Sequence, residues 1–205
     1  MIHDKIIKVC GMRDGDNIRR IEAMEVDWLG FIFYPGSPRC IESMPGYMPQ
    51  RAKRVGVFVN QDKAEIEVIT DRFSLDYIQL HGKESPEYCQ NLRLAGKKVI
   101  KAFPIKTVRD IGATTGYEGC CNYFLFDTKC EQHGGSGCQF DWEILSAYTG
   151  QTPFLLSGGI NQYSARALKE LQHPMLAGFD INSRFEISPG MKDPERIQFF
   201  LNELS

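Results

Sequence analysis

The stretch "IIKVCGM", residues 6–12, sets the reading of the whole chain. Ile6, Ile7 and Val9 are β-formers, Lys8 interrupts them, and the run stops at Cys10-Gly11. Comparable apolar, β-branched or aromatic runs recur at 28–33, 54–59, 77–80, 99–103, 123–126, 153–156 and 176–181. They are near-continuous rather than alternating, which suits parallel strands buried on both faces. Helical periodicity fills the gaps. Residues 14–24 carry Ile18, Ile21 and Met24 on one face and Arg19 and Arg20 on the other, and 62–72 pair Ile66 with Ile69. Residues 86–94 follow a Ser85 N-cap, and 194–204 open with Asp193-Pro194 in cap and first-turn positions. Segments 45–52, 105–114, 141–148 and 162–171 complete the set of helices. Strand then helix, repeated in units of about 25 residues, is the sequence form of an α/β chain folded as a (β/α)8 TIM barrel. No linker, low-complexity segment or compositional break divides the chain, so one compact barrel domain over 1–205 is expected. A doubly wound open sheet shares the same alternation and is the alternative.

Charge and cysteine content narrow the class. Across 205 residues, 24 Lys and Arg face 26 Asp and Glu, a formal net charge of -2. That balance gives no whole-protein argument for a nucleic acid or an anionic membrane as partner. No apolar stretch approaches the roughly 20 residues needed to span a bilayer. The start, "MIHDKIIKVCG", lacks the apolar segment of a signal peptide, so a cytoplasmic protein is expected. The seven cysteines are Cys10, Cys40, Cys89, Cys120, Cys121, Cys130 and Cys138. An odd number in a chain large enough to build its own core reads as free thiols. Cys120, Cys121, Cys130, His133 and Cys138 lie close together but form no C-x-x-C pair, so no metal site is expected.

In a barrel of this kind the chemistry is built at the C-terminal ends of the strands. Those positions hold Cys10-Gly11, "YPGSPR" ending at Arg39, "QLHG" with His81, "FDT" with Asp127, "SGG" with Gly158 and Gly159, and "DINS" from Asp180 through Asn182 to Ser183. Polar groups and glycines thus gather at one rim above apolar strand interiors. Gly158-Gly159 before "INQYSARAL" reads as exposed amides at a helix start, suited to a phosphate, with Asn182 and Ser183 beside it. Asp127, after "NYFLF", is either a carboxylate bound to loop amides or a proton donor or acceptor above the barrel. Two prolines stiffen the loop that carries Arg39, which would fix the reach of a bidentate carboxylate clamp. His81 reads equally as a satisfied histidine or a ligand contact.

Taken as a set, "KVCG", "GFIFYPGSPR", "VGVFVN", "IQLHG", "FDT" with "GGSG", "LSGGIN" and "DINS" with "PGMKD" resemble the phosphoribosylanthranilate isomerase family of tryptophan synthesis, from Lys8 to Asp193. The resemblance implies an Amadori rearrangement of a small phosphorylated substrate, N-(5-phosphoribosyl)anthranilate, to the 1-deoxyribulose 5-phosphate. It implies no metal or redox cofactor, and a monomer or homodimer. Carried over residue by residue, it makes Cys10 the general base and Asp127 the general acid. It sets Arg39 on the anthranilate carboxylate and Gly158, Gly159, Asn182 and Ser183 on the phosphate, with Asp180 beside them and His81 at the site. This chain departs from the family pattern at Arg184, where glycine is usual, and at Cys138 and Cys40. A related isomerase of histidine synthesis uses an aspartate where Cys10 stands. A non-catalytic phospholigand-binding barrel would need neither Cys10 nor Asp127. Two further expectations concern neighbours of these groups. Lys8, on the same strand face as Cys10, should lower its thiol pKa, and Gly134, Gly135 and Gly137 should let a loop close over the substrate.

Overall fold

The eight runs become eight parallel strands: β1 (Ile6–Val9), β2 (Trp28–Ile32), β3 (Lys53–Phe58), β4 (Tyr77–Leu80), β5 (Val99–Ile105), β6 (Tyr123–Thr128), β7 (Phe154–Ser157) and β8 (Leu176–Ile181). They follow one another in order and close into a barrel, with β8 pairing β1 in parallel. Closure excludes the open sheet. The computed structural model describes residues 4–128 and 142–205.

Side chains alternate across the barrel wall. Ile7 and Val9 pack outward in the cluster that holds Ile18 and Ile21, while a separate cluster of Trp28, Val55, Ile100, Ala102, Leu125 and Leu155 fills the interior. Its floor comes from the first residues of alternate strands, as barrel layers do. Trp28 stacks on Tyr77 at 4.4 Å between ring centroids and meets Tyr123 edge-on at 5.2 Å. In β8 the pairing with β7 skips from Leu176 to Gly178, so Ala177 is bulged and packs on the interior cluster. Gly178 is required there, because a Cβ would lie 2.1 Å from the Ile6 carbonyl oxygen. After the bulge Asp180 points inward.

The helices are α1 (Gly15–Glu22), α2 (Lys63–Phe73), α3 (Pro86–Leu94), α4 (Val108–Gly112), α5 (Ala165–Glu170) and α6 (Pro194–Leu204). Side chains of Asp14, Asp62, Ser85 and Asp193 accept from amides of the first turns of α1, α2, α3 and α6. Two expected helices fail. Residues 45–52 form none: Pro45 and Pro49 withhold donors, and buried Glu22 takes the last three amides. Its Oε1 accepts from the N–H groups of Gln50 (2.8 Å), Arg51 (2.6 Å) and Ala52 (2.9 Å). After β6 the described residues form a 3-10 helix, Trp142–Ala147, rather than an α-helix. The expected helix at 105–114 shrinks because β5 runs on to Ile105, leaving α4 and a 3-10 turn at Thr115–Tyr117. Between β8 and α6 a hairpin of β9 (Glu186–Ser188) and β10 (Met191–Lys192) appears, which no periodicity announced. Among the described residues no helix is long and apolar enough to cross a membrane.

Candidate active site

Cys10 continues β1 past Val9, and its N–H donates to the Ile181 carbonyl at 2.9 Å. Its side chain turns into the barrel, where Gly30 of β2 leaves it space. A Cβ on Gly30 would stand 2.8 Å from the Cys10 sulfur. Lys8 lies beneath, on the same face, as the alternation required. Its ammonium donates to Asp180 Oδ1 at 2.8 Å, and Ser157 Oγ donates to Asp180 Oδ2 at 3.0 Å. Both oxygens of Asp180 are thus engaged inside the barrel.

The expected effect of Lys8 on the thiol is only partly met. Burial pushes the Cys10 thiol above its ordinary pKa, and the Lys8 charge, which pulls it down, does not overcome this. Cys10 is 4% exposed. Burial disfavours the Lys8 charge too, yet Asp180 and Cys10 together outweigh it, and the Lys8 pKa is raised. The resting site therefore holds a thiol over an ammonium–carboxylate pair.

Asp127 reaches the same cavity from β6. His81 Nε2 approaches Asp127 Oδ2 at 3.5 Å, and His81 Nδ1 meets Gln79 Nε2 at 3.1 Å. His81 bridges Gln79 and Asp127, with the donor and acceptor roles set by its ring tautomer. The ambiguous histidine is thus partnered on both nitrogens and aimed at the candidate acid.

Gly158 and Gly159 follow β7 with φ of 85° and 67°. A Cβ on Gly158 would lie 2.0 Å from the Thr128 carbonyl oxygen, so the backbone of β7 passes too close to β6 for any side chain. The helix-start reading of this pair is corrected. α5 begins only at Ala165, after a turn in which Asn161 N–H donates to Ser164 Oγ at 3.0 Å. What the two glycines present is loop backbone, without a helix dipole behind it.

Cys10, His81, Asp127, Gly158, Gly159, Asp180, Asn182 and Ser183 line one cavity of about 390 Å³, together with Gln79, Ser157 and Arg184. Arg39 stands outside that lining. Its Nε donates to Glu186 Oε1 at 2.9 Å and its Nη2 to Oε2 at 2.6 Å. Nη1 has no partner among the described residues. Gly11, with φ of 75°, fits between Arg39 and Asn182: a Cβ there would lie 2.7 Å from Arg39 Cδ and 2.8 Å from Asn182 Oδ1. Fully buried Lys192 ties this side together, donating to Asn182 Oδ1 at 2.7 Å and to Glu186 Oε1 at 2.6 Å. Burial raises the Glu186 carboxyl, but hydrogen bonds from Arg39 and Lys192 outweigh it and bring the pKa down to about 2.

Sequence reasoning passed over Glu186, Lys192, Gln79 and Gly30. Glu186 and Lys192 stand in a short segment with no periodicity to mark them, and only their burial shows what they hold. The "GGSG" loop, Cys130, His133 and Cys138 fall in 129–141, outside the described residues. Among the described residues Cys10, Cys40, Cys89, Cys120 and Cys121 are free thiols. No group of three His, Cys, Asp or Glu side chains among them is arranged to hold a metal ion.

The sequence matches the family model for N-(5'phosphoribosyl)anthranilate (PRA) isomerase over residues 7–203. A protein of Phocaeicola vulgatus named N-(5'-phosphoribosyl)anthranilate isomerase is 49% identical over 199 residues, 97% of either chain. The crystal structure of phosphoribosyl anthranilate isomerase from Thermotoga maritima is similar with a TM-score of 0.82 and 30% identity, covering 98% of both chains. A crystal structure of a phosphoribosyl anthranilate isomerase in complex with reduced 1-(o-carboxyphenylamino)-1-deoxyribulose 5-phosphate gives 0.81 and 28%, again over 98% of both. Sequence and fold agree along nearly the whole length, and the chain belongs to the N-(5'-phosphoribosyl)anthranilate isomerase family.

Proposed function

We propose that this protein isomerises N-(5-phosphoribosyl)anthranilate to 1-(2-carboxyphenylamino)-1-deoxyribulose 5-phosphate, a step of tryptophan synthesis. Cys10 is the general base and Asp127 the general acid. The observation that carries the reading is that a thiol at the end of β1 and a carboxyl on β6 line one cavity, together with the backbone of Gly158 and Gly159 and the Ser183 side chain. Binding alone needs no such pair.

The chemistry runs on two proton transfers. Protonated Asp127 gives its proton to the ribose ring oxygen as the C1′–O bond breaks and the anthranilate nitrogen's lone pair closes the C=N bond. Cys10, in its thiolate form, then takes the C2′ proton and becomes the thiol. The electrons of that C–H bond move toward C1′ and neutralise the iminium, leaving an enolamine that tautomerises to the C2′ ketone. His81, whose Nε2 faces the carboxyl, steadies Asp127 once it has become an anion. Arg39 keeps its Nη1 edge toward the anthranilate carboxylate while Glu186 holds its other edge. The phosphate rests against Gly158, Gly159 and Ser183.

A steady-state assay with freshly generated phosphoribosylanthranilate, read by loss of its fluorescence, tests the reading. Cys10→Ser and Asp127→Asn should each lower kcat by at least about 10²-fold, the low end for acid–base groups. Near-normal turnover in either variant removes that residue from its role. A wild-type protein that turns over only the phosphoribosyl substrate of histidine synthesis, or nothing at all, overturns the assignment.

A further inference from the structure

Arg184 stands in the candidate site, in the 3-10 turn Ser183–Phe185 that follows β8. It lines the cavity next to Ser183 and opposite the backbone of Gly158 and Gly159. The short turn that carries it is held at both ends. Before it, the Asn182 side chain accepts from Lys192 at 2.7 Å. After it, Phe185 is fully buried and packs edge-on against Phe200, 5.2 Å between centroids. The Phe185 carbonyl also accepts from Asp193 N–H at 2.8 Å. The anchor point of the Arg184 side chain is therefore fixed, while the side chain itself is exposed. Among the described residues it makes no hydrogen bond and no ion pair.

Among the described residues, the neighbouring cations Lys8, Arg39 and Lys192 are already partnered. Lys8 is paired with Asp180, and Arg39 and Lys192 share Glu186. Among the described residues, the other groups expected on the phosphate side, Gly158, Gly159, Asn182 and Ser183, are neutral. A phosphoryl group carries roughly −1.5 to −2 charge at neutral pH, so a wall of neutral donors leaves that charge uncompensated. We infer that Arg184 supplies the counter-charge of the phosphate subsite, closing its guanidinium over the phosphoryl group of a sugar-phosphate ligand. The inference rests on the phosphorylated substrate proposed above and adds what fastens it in this chain.

The test measures two quantities in wild type, Arg184→Ala, Arg184→Lys and, as a control of surface charge, Arg109→Ala on α4. One is KM and kcat for phosphoribosylanthranilate; the other is binding of inorganic phosphate by calorimetry. Arg184→Ala should raise KM and weaken phosphate binding about tenfold each, the scale of one charge-assisted contact, with kcat within about twofold. Arg184→Lys should recover part of both, since it keeps the charge and loses the fork. The wild-type KM should climb with salt, and that climb should flatten in Arg184→Ala. Unchanged KM and phosphate affinity in Arg184→Ala, or equal losses in Arg109→Ala, overturn the inference. Absence of wild-type turnover would instead overturn the substrate assignment, and the phosphate titration would still decide the role of Arg184.

Discussion

At the scale of single residues, the Lys8–Asp180 pair under Cys10 bears on the titration of the proposed base. Burial holds the thiol above its ordinary pKa and Lys8 draws it back, so the thiolate fraction and kcat/KM should rise with pH into the alkaline range. Lys8→Met removes the opposing charge and should move that rise to higher pH, measured as a kcat/KM profile and as alkylation of Cys10. The double variant Lys8→Met/Asp180→Asn avoids leaving a buried carboxylate unpaired. It should shift the same way by less, because Lys8 influences the thiol more strongly than Asp180 does. A profile that stays put in both would separate Lys8 from the chemistry. Substituting Arg39 by alanine should raise KM more than it lowers kcat, if its Nη1 edge binds substrate and transition state alike.

At the scale of elements, carboxylates replace secondary structure where the chain cannot supply it. Glu22 gathers the amides before β3, and Glu118 does the same before β7, accepting from Thr152 N–H at 3.1 Å and Thr152 Oγ1 at 2.7 Å. Glu22→Ala should cost about 1–3 kcal/mol for buried donors left without an acceptor, read by urea unfolding. For both residues burial favours the neutral acid, yet the bonds they accept prevail and lower their pKa. Their stabilisation is therefore complete above the ordinary carboxylate range and is lost as pH falls through the lowered folded values. Glu22→Gln should accordingly flatten the acid side of the stability curve. These contacts also mark what the sequence could not reveal. The strands were legible because eight apolar runs need burial on both faces, and the caps at Ser85 and Asp193 because side chain and position coincide. The 45–52 connection was not, because its organiser, Glu22, lies 28 residues before Gln50 in sequence and looks like any helix-surface acid. In the site, Cys10, His81 and Asp127 were legible from strand ends alone. The bond from Arg39 to Glu186 was not, since it joins residues 147 positions apart.

At the scale of the whole molecule, the barrel is sealed at one end and chemically active at the other. The Trp28, Tyr77 and Tyr123 floor stands at the N-terminal ends of β2, β4 and β6, away from the cavity. Trp28→Ala should therefore lower stability by about 3–5 kcal/mol in denaturant titration while leaving KM near its wild-type value. A matching rise in KM would mean that floor and mouth are mechanically joined. Closure has one more consequence, in time rather than in space. The partner that neutralises Lys8 is 172 residues further along the chain. At synthesis rates of about 5–20 residues per second, the first strand waits roughly 10–35 s before Asp180 is made. Until then its lysine has no buried partner and its free edge no neighbouring strand. The nascent first strand must therefore stay hydrated or chaperoned, and the surroundings of the Cys10 thiol are complete only when the barrel's last strand arrives.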